Sequence, residues 1–143
     1  QQDAAGLRRT ARLVAALLDR ERDRGIPAER LLLAGFSQGG AMALHVGLRY
    51  PHALAGILAL SCYLPLADEL ASEGHPANRE TPVLMLHGRS DDVVPARYGR
   101  DSCERLRALG YDCRWQDYPM RHEVCPEEIQ VIGAWLRERL IPE

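Results

Sequence analysis

The stretch that most constrains this chain is Leu31-Leu32-Leu33-Ala34-Gly35-Phe36-Ser37-Gln38-Gly39-Gly40. An apolar run enters a Gly-x-Ser-x-Gly turn, and Ala41-Met42-Ala43-Leu44-His45-Val46 continues it as a helix. A strand, a tight turn and a helix in that order push the serine hydroxyl clear of both elements, with the backbone strained at the serine. Glycine suits positions 35 and 39, where side chains are expected to collide across the turn. The serine also heads the helix, where free N–H groups and the helix dipole favour negative charge. The arrangement suits attack on a carbonyl, with an oxyanion developing beside the helix end. The plainer role for a serine at this place is a helix cap.

Around this turn, helical and strand patterns alternate. Residues 5–24 read as an amphipathic helix with Leu7, Ala11, Val14, Leu17 and Leu18 on its apolar face. Gly25 closes it and Pro27 prevents continuation. The first strand spans about 30–35, and the helix after the turn runs to about Leu48. Further strands are expected at about 55–61, 82–87 and 111–117, with a polar loop over 69–80. Helices are expected over about 96–109, closed by Gly110, and from Pro126 onward with Ile129, Ile132, Leu136 and Leu140 as its stripe. The run at 82–87 is continuously apolar, as in a strand covered on both faces. The pattern predicts an α/β fold: a parallel sheet of about four strands, right-handed crossovers and helices on both faces. Ligands of such sheets bind at the C-terminal ends of the strands.

The length of 143 residues suits one domain, residues 1–143. A formal charge of −2 gives no basis for nucleic acid or an anionic membrane as partner. No apolar run approaches the roughly 20 residues that span a bilayer. The chain opens at Gln1, with no signal-peptide pattern in its first residues. Cys62, Cys103, Cys113 and Cys125 form no Cys-x-x-Cys pair, and the histidines lack ligand spacing, so no metal site is expected. Four reduced thiols in a cytoplasmic protein are the expectation, and nothing in the sequence argues for a Cys103–Cys113 bridge.

Three residues that each follow a different strand complete a constellation. Ser37 is followed by Asp91, with Asp92 as its rival, and then by His122. Ser37 is the candidate nucleophile, and its hydroxyl needs a base to remove the proton as it attacks. His122 is the candidate base and later acid, and the carboxylate orients it. The backbone N–H of Gln38, the residue after the nucleophile, is a candidate oxyanion donor. His87 sits at a strand end and reads as structural; His45, His52 and His75 read as surface or packing residues.

On these residues the chain resembles the carboxylesterase and acyl-protein thioesterase family of α/β-hydrolases. The resemblance covers essentially the whole chain. It rests on Arg24-Gly25-Ile26-Pro27, on Leu33 through Ala43, on Leu54-Ala55-Gly56 and on Ser61-Cys62-Tyr63-Leu64-Pro65. It continues in His87-Gly88, Asp91, Val94-Pro95, Tyr118-Pro119-Met120 and His122-Glu123. It implies a serine hydrolase that cleaves short to medium carboxylic esters or thioesters through an acyl-enzyme on Ser37. It implies no metal and no organic cofactor, and a small-molecule ester as partner. It places the triad on Ser37, Asp91 and His122. Leu64 and Met120 lie in loops at the ligand-binding strand ends, as acyl-pocket or core residues.

Arg121 stands where the family usually has Gly, and Arg89 where it often has an acid. A cation at 121 is expected to block the site, bind an acidic substrate group or point to solvent. The chain resembles the C-terminal part of the α/β-hydrolase fold, truncated at its N-terminus relative to the family, whose second oxyanion donor comes from an earlier loop. The expectation is a half-built oxyanion pocket and an exposed edge on the first strand, which favours association into a homo-oligomer. The alternative is therefore a catalytically impaired fragment that folds or functions only by pairing with another chain at that edge.

Overall fold

A computed structural model describes residues 3–141 of the chain. Helix α1 (Ala4–Asp23) leads to strand β1 (Leu32–Phe36), helix α2 (Gln38–Gly47) and strand β2 (Gly56–Leu60). A short helix α3 (Leu70–Glu73), strand β3 (Val83–Gly88), helix α4 (Ala96–Ala108), strand β4 (Cys113–Tyr118) and helix α5 (Pro126–Leu140) follow. The four strands form one parallel sheet in the order β1-β2-β3-β4.

That order explains where the helices lie. Right-handed crossovers that always step in the same direction put every connecting helix on one face. Ala43, Leu44 and Leu48 from the α2 segment, Leu70 of α3, and Cys103 and Leu106 of α4 pack there against Ile57, Ala59, Val83 and Met85. The intervening strand residues point the other way. Leu58, Leu60, Leu84 and Leu86 meet Trp135 of α5, which returns across the second face. All residues of β2 and β3 are buried, as the continuous apolar run at 82–87 requires. At the sheet margins, β1 and β4 are only partly covered.

Several boundaries and faces differ from the sequence expectation. The residues before β1 form a 3-10 turn, Ala28–Arg30, so the strand starts two residues later than expected. Strand β4 starts at Cys113 because the Tyr111 N–H donates to Leu106 O and still belongs to the closure of α4, with Gly110 at φ +94°. The polar loop over 69–80 contains α3 and a 3-10 turn, anchored by Leu70 at 1% exposure. Leu17 is exposed, because α1 packs through a narrow stripe of Ala11, Val14 and Leu18 against Met42 and Val46 of α2 and the neighbouring Leu33, Tyr50 and Leu54. Ile129 is likewise exposed on α5, and Trp135 supplies that helix's main contact.

No helix among the described residues is long and apolar enough to cross a membrane. Cys62, Cys103, Cys113 and Cys125 are free thiols, the first three buried. Burial pushes the Cys62 thiol up to about 12, which removes its thiolate at neutral pH.

Candidate active site

Parallel strands end on one edge, and β1, β3 and β4 deliver Ser37, Asp91 and His122 to it. Ser37 adopts φ 59° and ψ −119°, one of three non-glycine residues with positive φ among those described. Its N–H donates to Leu60 O at 2.7 Å, and its carbonyl accepts from Ala41 N–H, so the main chain holds the strained residue on both sides. The Ser37 side chain makes no capping bond to α2. Its hydroxyl instead meets His122 Nε2 at 3.0 Å.

The glycine requirement of the turn is one-sided. A Cβ at position 35 would overlap the Gly39 carbonyl, whereas a Cβ at 39 meets nothing within 4 Å. The second close approach belongs to Gly40, whose Cβ would stand 2.8 Å from Cys62 Sγ. Gly35→Ala is therefore expected to destabilise the fold by about 1–3 kcal/mol. Gly39→Ala is expected to be neutral or slightly stabilising, by about 0.5–1 kcal/mol, as for alanine in a helix. Urea unfolding of the two variants checks the contrast.

His122 Nδ1 lies 2.7 Å from Asp91 Oδ2. A carboxylate accepts, so the proton sits on Nδ1 and Nε2 is free to receive the serine proton. Asp91 Oδ1 accepts from the N–H groups of Val93 and Val94, both at 2.8 Å. Burial alone would raise the Asp91 carboxyl, but the bonds from His122, Val94 and Val93 outweigh it and hold it below the usual range. Asp92 is exposed, which separates it from its rival. The His122 ring is tilted against Phe36 at a centroid distance of 4.7 Å. Phe36 escaped the sequence reading, although a large apolar residue directly before the turn serine was its signal.

Gln38 opens α2, so its N–H has no partner within the helix. A groove of about 460 Å³ opens beside it, walled by Leu7 and Thr10 of α1, Met42 of α2, and Tyr63 and Pro65. Leu64 and Met120 do not line it. Leu64 is buried with α2 and α4, its N–H donating to Ser102 Oγ, and Met120 is buried under α5. Both loops lie at the ligand-binding strand ends but fold inward at these residues, which takes the side chains into the core rather than the groove. Arg121 is exposed and makes no ion pair among the described residues. Arg89 pairs with Asp117 at 3.0 Å on the surface.

The phospholipase/carboxylesterase family model matches residues 1–140. The chain belongs to this family of α/β-hydrolases. It is 44% identical to acyl-protein thioesterase 1 of Gibberella zeae, matching 99% of this chain and 62% of that protein. It is 42% identical to acyl-protein thioesterase 1 of Neurospora crassa, matching 97% of this chain and 58% of that one. Among solved structures, Arabidopsis thaliana SOBER1 superposes with a TM-score of 0.93 at 30% identity, covering 98% of this chain and 67% of SOBER1. Esterase PE8 gives 0.87 at 34% identity, covering 95% of this chain and 63% of PE8. The chain thus spans about 60% of the curated relatives' length. These matches lend no support to an impaired fragment that works only by pairing at its sheet edge.

Proposed function

We propose that this phospholipase/carboxylesterase family member is a serine hydrolase of carboxylic esters and thioesters that works through an acyl-enzyme on Ser37. The observation that carries the reading is the unbroken line from Ser37 Oγ through His122 to Asp91, at 3.0 and 2.7 Å. A serine that merely capped α2 would turn its hydroxyl to the helix N–H groups, and this one does not.

In the reaction, Ser37 Oγ attacks the acyl carbon while its proton passes to His122 Nε2. The carbonyl oxygen becomes an oxyanion facing the Gln38 N–H and the N-terminal end of α2. Collapse breaks the bond to the alcohol or thiol, which leaves with the proton from His122. Water then gives a proton to His122 as it attacks the acyl-serine; collapse breaks the bond to Ser37 Oγ, which takes that proton back from His122, and the acid is released. Asp91 holds the ring's tautomer throughout and remains ionised, since its hydrogen bonds keep its carboxyl below the usual range.

The largely apolar groove beside Gln38 supports acyl chains of short to medium length, packed between Leu7, Met42 and Tyr63. The naming of the fungal relatives as acyl-protein thioesterases supports thioesters as well as oxygen esters. The test is fluorophosphonate labelling of the folded chain, with hydrolysis of p-nitrophenyl acetate, butyrate and octanoate and of matched thioesters. One adduct, on Ser37 and absent from Ser37→Ala, is expected together with turnover. A folded chain that takes no label would refute the reading.

A further inference from the structure

Directly behind Asp91 lies a second imidazole that the reaction above does not use. His87, in β3, is 0% exposed. Its Nε2 stands 2.7 Å from the Val94 carbonyl oxygen and 3.4 Å from Asp91 Oδ2. A carbonyl can only accept, so the ring's proton is on Nε2. The N–H therefore bonds to the loop carbonyl, and the carboxylate lies beside it as a longer polar contact.

The ring has little freedom to turn. Its Nδ1 has no hydrogen-bond partner among the described residues and lies against Gly99, where an added Cβ would come within 2.6 Å of it. On another side Trp115 packs at a centroid distance of 5.5 Å. A buried polar nitrogen without a partner costs about 1–3 kcal/mol. The fold carries that cost on Nδ1 while Nε2 is aimed at the Asp91 loop.

We propose that His87 is a positioning residue for Asp91: its Nε2–H, fixed on Val94 O, steers the Oδ2 oxygen toward His122. This rests on the Ser37–His122–Asp91 reading. Asp91 is then held from three directions. Oδ1 takes the N–H groups of Val93 and Val94, and Oδ2 lies between the Nδ1–H of His122 and the Nε2–H of His87. Because the N–H bonded to Val94 O also stands 3.4 Å from Asp91 Oδ2, the ring couples the loop's conformation to the carboxylate's rotation through one hydrogen bond and one longer polar contact. A shift of about 1 Å in such a supporting group can cost about a hundredfold in rate.

The test replaces His87 by Leu, which removes the donor, and by Gln, whose terminal N–H₂ can reach the same acceptors. In His87→Leu, kcat on p-nitrophenyl butyrate is expected to fall about tenfold to a hundredfold with KM nearly unchanged. The downfield proton resonance of the His122–Asp91 hydrogen bond should shift in the same variant. His87→Gln should restore most of both. Wild-type kcat and an unmoved resonance in a folded His87→Leu would overturn the proposal. So would equal impairment of the two variants in proportion to lost thermal stability, since that marks packing alone. Should His87→Leu not fold, Gly99→Ala displaces the ring while keeping the imidazole, and an unchanged kcat there also overturns it. A Ser37→Ala chain that still hydrolyses the ester would instead sink the parent reading, so the two failures are distinguishable.

Discussion

Replacing Ser37 with alanine is expected to lower kcat on a p-nitrophenyl ester by about a million-fold, the scale seen when a triad serine is removed. In the proposed mechanism the loss is large because the hydroxyl is both the attacking group and the source of the proton that His122 accepts. His122→Ala should cost about as much, since without the base the hydroxyl is a weak nucleophile. Asp91→Asn should cost about ten-thousandfold, because the amide favours the wrong tautomer of His122. The double variant Ser37→Ala/His122→Ala should be no slower than either single one, because the residues act as a unit. Folding is not at issue in Ser37→Ala. The serine side chain makes no capping bond, and alanine bears no more strain than serine at φ 59°. Circular dichroism should therefore be unchanged. Turnover within tenfold of the parent chain would remove Ser37 from the chemistry.

Mild acid should destabilise the protein through His45, a residue outside the Ser37–His122–Asp91 line. His45 is 2% exposed in the last turn of α2, and its Nδ1 has no hydrogen-bond partner among the described residues. Burial lowers it from 6.5 to about 4, helped by Arg49 and Arg8 and opposed by Glu73. Glu73 itself pairs with both arginines, at 2.8 Å to Arg49 and 3.1 Å to Arg8. Between pH 6.5 and about 4 the unfolded chain takes up a proton at this ring and the folded chain does not. Stability therefore falls as pH drops through that window, by about 3 kcal/mol, and this group adds no further loss below it. For a chain of this size that is a drop of roughly 10 °C in Tm. Thermal unfolding at half-unit steps of pH should show the slope, and His45→Leu should lose most of it. An equal slope in the variant would assign the acid sensitivity to other groups.

The elements that position the candidate site were legible in the sequence because each has a local signal. An apolar run, a Gly-x-Ser-x-Gly turn and a 3.6-residue period are written in neighbouring residues, so β1, Ser37 and α2 could be placed without tertiary information. Parallel alternation then put the residues after each strand on one edge, which brought Asp91 and His122 beside Ser37. Strand starts were less legible. The helix closure at Tyr111 and the 3-10 turn at Ala28–Arg30 depend on which carbonyl a given N–H reaches, and residue type does not dictate that.

Side-chain destinations were the least legible. Leu64 and Met120 occupy loops at the correct edge but turn into two different cores, while Tyr63 and Met42 face the groove. A loop residue has no periodicity to reveal its direction, so only packing decides it. Gly39 is spared the crowding that Gly35 meets, because the turn brings the two backbones together at one point only. His87 looked structural from its strand-end position, and it does anchor a loop. Its polar contact with Asp91 Oδ2 appears only once the strand and the loop are folded together.

The sequence by itself determined the fold class, the parallel order of strand and helix, and the three residues that converge on the strand ends. Those features follow from short-range chemistry: glycine's freedom, apolar period and chain direction. The family resemblance already pointed to Asp91 over Asp92; tertiary structure turned Ser37 toward His122 rather than to the helix it heads, and selected the walls of the groove. Each of these is a choice among side-chain directions that cost nearly the same locally. Only contacts with residues distant in the chain make one direction lower in energy than the others.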